Sequence, residues 1–142
     1  MVNELLNGVS NQLYDVFGAD YRYYVENVEQ NLTKPCFAID SILPLQRARS
    51  RYLYDRTIPI VVHYFSPNKA TTKKDCYEKA ELMVEALEYV PLNGSLIRGE
   101  DISWQIVDDV LQLFITYRFI TRKVTSNEDN METLTNNSVS TN

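Results

Sequence analysis

The apolar residues of this chain run first at helical period, then at strand period, then helical, then strand again, and few folds accept that order. In residues 2–17, Val2, Leu5, Leu6, Val9, Leu13 and Val16 recur at three- and four-residue spacing, which predicts one amphipathic helix with Gly18 as its stop. Residues 21–28, rich in Tyr and Val, read as a strand. Pro35 opens a second strand over 36–43, where a missing N–H does little harm, and Pro44 interrupts it. Residues 45–55 read as extended and polar. A third strand over 57–65 puts Ile58, Ile60, Val62 and Tyr64 on one face and Pro59, Val61, His63 and Phe65 on the other. Both faces are largely apolar, so this strand is covered on both sides or meets another chain.

Ser66-Pro67-Asn68 marks a turn, and a second helix is expected over 72–89 with Cys76, Ala80, Met83, Leu87 and Val90 on its core stripe. Pro91 ends it. Asn93-Gly94 is a strong hairpin signal, Ile102, Trp104 and Ile106 alternate through 101–107, and Asp108-Asp109 is a tight connection into a last strand over 110–124. Helix, strands, helix, strands predicts an α+β fold: a mostly antiparallel sheet with two helices packed on one face, in a single domain over residues 1–124. Beyond it the composition turns to Ser, Thr, Asn and acid without periodicity. Residues 125–142 are therefore expected to be a disordered acidic and polar tail.

The formal charge is −5, of which the tail holds −3 through Glu128, Asp129 and Glu132. The remaining −2 lacks the basic excess of a nucleic-acid-wrapping protein. Cys36 and Cys76 stand forty residues apart in unrelated contexts and form no metal or disulfide framework. The first seventeen residues lack the basic start and apolar run of a signal peptide, and no stretch approaches the roughly 20 apolar residues of a bilayer span. A soluble protein made in the cytoplasm is expected.

Signals for bond-making chemistry are weak. His63 is the only histidine, so no multi-histidine metal site is available, and Ser66 three residues on is no evident nucleophile for it. Glu100-Asp101 and Asp108-Asp109 could divide acid and base work, yet both sit at predicted strand ends where Asp is an ordinary turn residue. The four glycines are isolated and build no phosphate loop, and Gly99 marks a bulge or turn. One segment is unusual. Arg47, Arg49 and Arg51 alternate, which in extended chain sets three guanidinium groups on one face and Tyr52 and Tyr54 on the other, with Arg56 following. This is a solvated edge hairpin whose charge prevents aggregation, an arm that docks on an acidic patch of a neighbouring subunit, or, ranked lower, a contact to DNA phosphates.

An ordered set of features resembles the tail terminator (tail completion) proteins of phages and prophages of Gram-positive bacteria. These are the first helix, Gln30-Asn31-Leu32-Thr33-Lys34-Pro35-Cys36-Phe37, Arg51-Tyr52 and Pro59-Ile60-Val61-Val62-His63-Tyr64-Phe65. Leu87-Glu88-Tyr89-Val90, Leu96-Ile97-Arg98-Gly99 and Ile106-Val107-Asp108-Asp109-Val110-Leu111-Gln112-Leu113-Phe114 follow. The resemblance implies a tail-terminator-like α+β subunit that is no enzyme and needs no cofactor. It implies a ring, usually hexameric, at the head-proximal end of the virion tail, which caps the tail tube, stops its polymerisation and joins it to the head connector. The implied partners are further copies of itself, the tail tube protein, the head–tail connector and, in contractile tails, the sheath. DNA would pass through the lumen without specific binding, and no membrane is involved. The residues expected at the subunit interface are Arg47, Arg49, Arg51, Tyr52, Tyr54 and Arg56. Another head–tail joining protein of the virion is the alternative, and a small-molecule-binding or enzymatic domain using the acid pairs comes after it.

Overall fold

The computed structural model describes residues 1–25, 32–67 and 70–123. The first helical stripe becomes α1 (Val2–Phe17), which buries Leu5, Leu6, Val9 and Leu13. Gly18 ends it in the left-handed region at φ 84°, its N–H donating to the Tyr14 carbonyl at 2.8 Å. Strands β1 (Arg22–Val25) and β2 (Cys36–Ser41) follow, then β3 (Leu45–Ala48) and β4 (Leu53–Phe65). Helix α2 (Thr72–Leu87) leads into β5 (Tyr89–Leu92), β6 (Ser95–Val107) and β7 (Val110–Arg122). The strand order is β1-β2-β4-β7-β6-β5, with β3 on β4. Only β1 and β2 run parallel among the pairs whose register is resolved; β2/β4, β3/β4, β5/β6 and β6/β7 are antiparallel. This is the expected α+β arrangement.

The chain divides into two compact units: Met1–Leu43 with Ile58–Tyr117, and Pro44–Thr57 with the chain from Arg118 onward. The larger unit holds the helices and the core. In it α1 packs against α2, β1, β2 and β5. The expected inner face of β4, Ile58, Ile60, Val62 and Tyr64, is buried and meets Phe37 and Ile39 of β2 and the buried Leu111, Leu113, Ile115 and Tyr117 of β7. Burying a side chain of this size stabilises by about 1.5–3 kcal/mol. On the opposite face Val61 is buried and Pro59, His63 and Phe65 are half-buried. Gln12 Nε2 donates to the Ala86 and Tyr89 carbonyls at 3.1 Å each, tying α1 to the end of α2. The buried Tyr117 hydroxyl donates to the Leu87 carbonyl at 2.7 Å. Phe17, Tyr21, Tyr23, Phe37 and Tyr64 form a ring cluster at centroid separations of 4.9–6.3 Å.

Several boundaries differ from the sequence reading. Helix α2 ends at Leu87 rather than Tyr89, because residues 89–92 pair with Ser95–Arg98 across the Asn93-Gly94 turn, whose two residues take φ 51° and 83°. Strand β2 stops at Ser41, and Leu43 turns the chain at φ 51° before Pro44. Strand β4 begins at Leu53, not residue 57, since residues 54–57 pair with β3. Asp108 and Asp109 form the expected tight turn, at φ 52° and 64°. Glu100-Asp101 is no strand end. Strand β6 runs through it, with a register shift between Glu100 and Ser103 and Asp101 at φ 54°. Gly99 lies just before that bulge inside the strand, and its reason is close packing: a Cβ there would collide with the Ile115 side chain and stand 3.1 Å from the Leu87 carbonyl. The expected end of the first strand (26–28), Asn68 and residues 124–142 lie outside the described residues. Cys36 and Cys76 are fully buried and free, and burial pushes both thiols up in pKa.

Candidate functional site

Polar groups in the larger unit bind one another. Asp75 on the first turn of α2 accepts from the Tyr64 hydroxyl and the Ser66 hydroxyl at 2.7 Å each and from Lys79 Nζ at 2.9 Å. Burial works to raise the Asp75 pKa, but donors from Tyr64, Ser66 and Lys79 outweigh it and hold the carboxyl below its ordinary value. The same contact, against burial, raises Lys79, whose ammonium also lies 5.7 Å from the Tyr21 and Tyr64 ring centroids. Tyr21, Tyr64, Asp75 and Lys79 line a cavity of about 360 Å³ with Pro35, Pro67 and Lys74. The Ser66 hydroxyl proton therefore goes to Asp75. His63 stacks on Phe65 at 6.4 Å, and burial lowers its pKa, which favours the neutral ring. Asp108 and Asp109 are spent on the turn, beside a cavity of about 270 Å³ lined also by Lys34, Ser66 and Thr72. Among the described residues no group of three His, Cys, Asp or Glu could hold a metal ion, and no helix is long and apolar enough to cross a membrane.

The smaller unit is built differently. Strand β3 pairs with the start of β4, Gln46 opposite Arg56 and Arg47 opposite Asp55, and residues 49–52 turn between them, with the Arg49 and Ser50 amides donating to the Leu53 carbonyl at 2.9 and 3.2 Å. The segment read as extended and polar folds as a hairpin, the edge-hairpin alternative of the sequence reading. Arg47 stands on a strand while Arg49, Arg51 and Tyr52 lie in the turn, so the three guanidinium groups do not share one strand face. Arg49 pairs with Asp55 at 3.1 Å, and Arg51 lies over the Tyr52 ring at 5.4 Å. Arg47, Arg49, Arg51 and Tyr52 are exposed; Tyr54 and Arg56 are half-buried, and burial lowers the pKa of Arg56. The Lys123 amide donates to the Tyr52 carbonyl at 2.7 Å. Arg49, Asp55, Arg56, Thr57, Arg118, Phe119 and Ile120 line a groove of about 400 Å³.

The two units differ most in charge. Among the described residues of the smaller unit, seven cations (Arg47, Arg49, Arg51, Arg56, Arg118, Arg122 and Lys123) face one acid, Asp55, for a net +6. The larger unit carries seven Lys and Arg against fifteen Asp and Glu, a net −8. The −2 read as a balanced body in the sequence is the sum of these opposites. No linear motif reports it, because residues 44–57 and 118–123 become one unit only on folding.

The fold is α+β, and its two units carry net charges of opposite sign. The chain belongs to the family of phage tail terminator proteins, whose family model matches residues 4–129. No curated protein matches the sequence. Among solved structures, one chain aligns over 85% of this chain and 92% of its own length, at 11% identity and a TM-score of 0.43.

Proposed function

We propose that the protein assembles head to tail into a ring, six-membered as is usual for such proteins, that caps the head-proximal end of the tail tube. The ring stops tube polymerisation and presents a surface to the head connector; the protein works by contact and makes no covalent bonds. Family membership supports the tail role, and one observation supports the head-to-tail contact: the +6 and −8 units of one chain. A ring needs two different, complementary surfaces on each copy, and opposite charge supplies complementarity without a second gene product. The arginine hairpin, Arg47 to Arg56 with Tyr52 and Tyr54, is the interface element in this reading. The test mixes the purified chain with polymerising tail tube subunits and measures tube length by electron microscopy, with native mass giving the copy number. Tubes capped at one end by a ring, and no longer growing, are the expected result. Tubes that elongate unchanged, with the chain captured by portal or adaptor protein instead, would make it another joining protein.

A further inference from the structure

The head-to-tail reading leaves open where on the next copy the arginine hairpin lands, and the outer face of α2 carries an answer. Glu78, Glu81 and Glu85 follow one another at three- and four-residue spacing, so they line one side of the helix, and all three are exposed. None makes an ion pair among the described residues. Glu85 lies near the helix C-terminus, which already bears the negative end of the backbone dipole, and no basic residue lies in the last turn. Lys73 and Lys74 sit at the opposite, N-terminal end. The first turn carries Asp75 beside these lysines, whereas the last turn has no cation to offset its acids, which leaves that end open to a cation arriving from outside. Two large apolar side chains lie among these acids, Leu82 at 44% exposure and Tyr77 at 54%.

The hairpin has the matching chemistry. Arg49 is engaged with Asp55, but Arg47 and Arg51 make no ion pair among the described residues. Leu45 and Tyr52 beside them are 49% and 45% exposed. We propose that the arginine hairpin of one copy docks on the outer face of α2 of a second copy, Arg47 and Arg51 meeting Glu78, Glu81 and Glu85 while Tyr52 and Leu45 cover Leu82 and Tyr77. This rests on the head-to-tail reading above and names its two surfaces. A second copy fits better than nucleic acid, because phosphates would leave Leu45 and Tyr52 wet and the −8 unit would repel them. Each copy uses its hairpin once and its helix once, the head-to-tail pattern that closes into a ring when the rotation between neighbours brings the last copy back to the first.

Charge exchange tests it in the full chain, read by native mass and sedimentation with and without tube subunits. R47E/R51E, which spares the Arg49–Asp55 pair, and E78K/E81K/E85K each weaken self-association by about tenfold or more. The two sets combined in one chain restore assembly. Mixing the two separate variants also restores assembly, with the two alternating, since each hairpin then meets a helix face of opposite charge. All the altered side chains are exposed, so melting temperatures stay near that of the parent. The contact is wrong if either variant assembles like the parent, if the combined variant stays dissociated, or if R47E/R51E loses only salt-dependent affinity for duplex DNA. A parent chain that caps tubes while ignoring both changes sinks this contact and leaves the terminator role intact. One that never assembles, even on tubes, sinks both.

Discussion

The larger unit and the smaller one make opposite use of charge. In the first, Asp75, Lys79, Tyr64 and Ser66 saturate one another beneath a ring cluster, and the Tyr117 hydroxyl is fully committed to Leu87. In the second, one acid serves seven cations, and most of the guanidinium groups face solvent. The lesson is that internal pairing builds the fold, whereas charge left over after pairing is available to a partner. Single substitutions should therefore cost stability in the larger unit and association in the smaller one.

The largest stability loss should come from the core of the larger unit. Leu13 is fully buried, and Leu13→Ala should cost about 2–5 kcal/mol in urea unfolding, with no change in the charge-dependence of association. Next is Asp75→Asn, at about 1.5–3 kcal/mol near neutral pH, because it removes the negative charge and leaves one accepting oxygen where three donors use two. Its sign with pH follows from the lowered carboxyl pKa. The folded protein binds the proton less readily than the unfolded chain does, so the contribution is complete above the ordinary value of 3.8 and disappears as pH falls through the folded value. The gap between parent and variant should close on acidification; a gap that persists at low pH would mean the loss is steric. Gly99→Ala follows at about 1–3 kcal/mol, since Ile115 must move to admit a methyl group. The smallest effect belongs to the smaller unit: Arg49→Ala should change stability by about 0–1 kcal/mol, less at high salt, the Arg49–Asp55 pair being half in water. A loss there as large as that from Asp75→Asn would erase the distinction between the units.

The sequence made the larger unit readable because its local signals agree with its packing. The stripe from Val2 to Phe17 and the left-handed turns at Asn93-Gly94 and Asp108-Asp109 need no tertiary information. The arginine hairpin was harder. Residues 49–52, Arg-Ser-Arg-Tyr, contain no Gly, Asn or Pro to announce a turn, so the segment read only as extended and polar, with an edge hairpin as one alternative and no place for its turn. The bulge expected at Gly99 lies just beyond it, between Glu100 and Ser103, because Asp101 rather than the glycine takes the left-handed conformation. The charge division lay beyond any window, because the chain must bring Arg118, Arg122 and Lys123 into one unit with Arg47 before the excess exists.

Both native thiols are sealed inside the larger unit and held in the unreactive form by burial. The protein therefore arrives blank to maleimide chemistry, and a single cysteine placed at an exposed position such as Ser50 or Glu81 becomes the one labelled atom. Dyes carried there would report, by energy transfer between copies, how neighbours approach as tubes are capped.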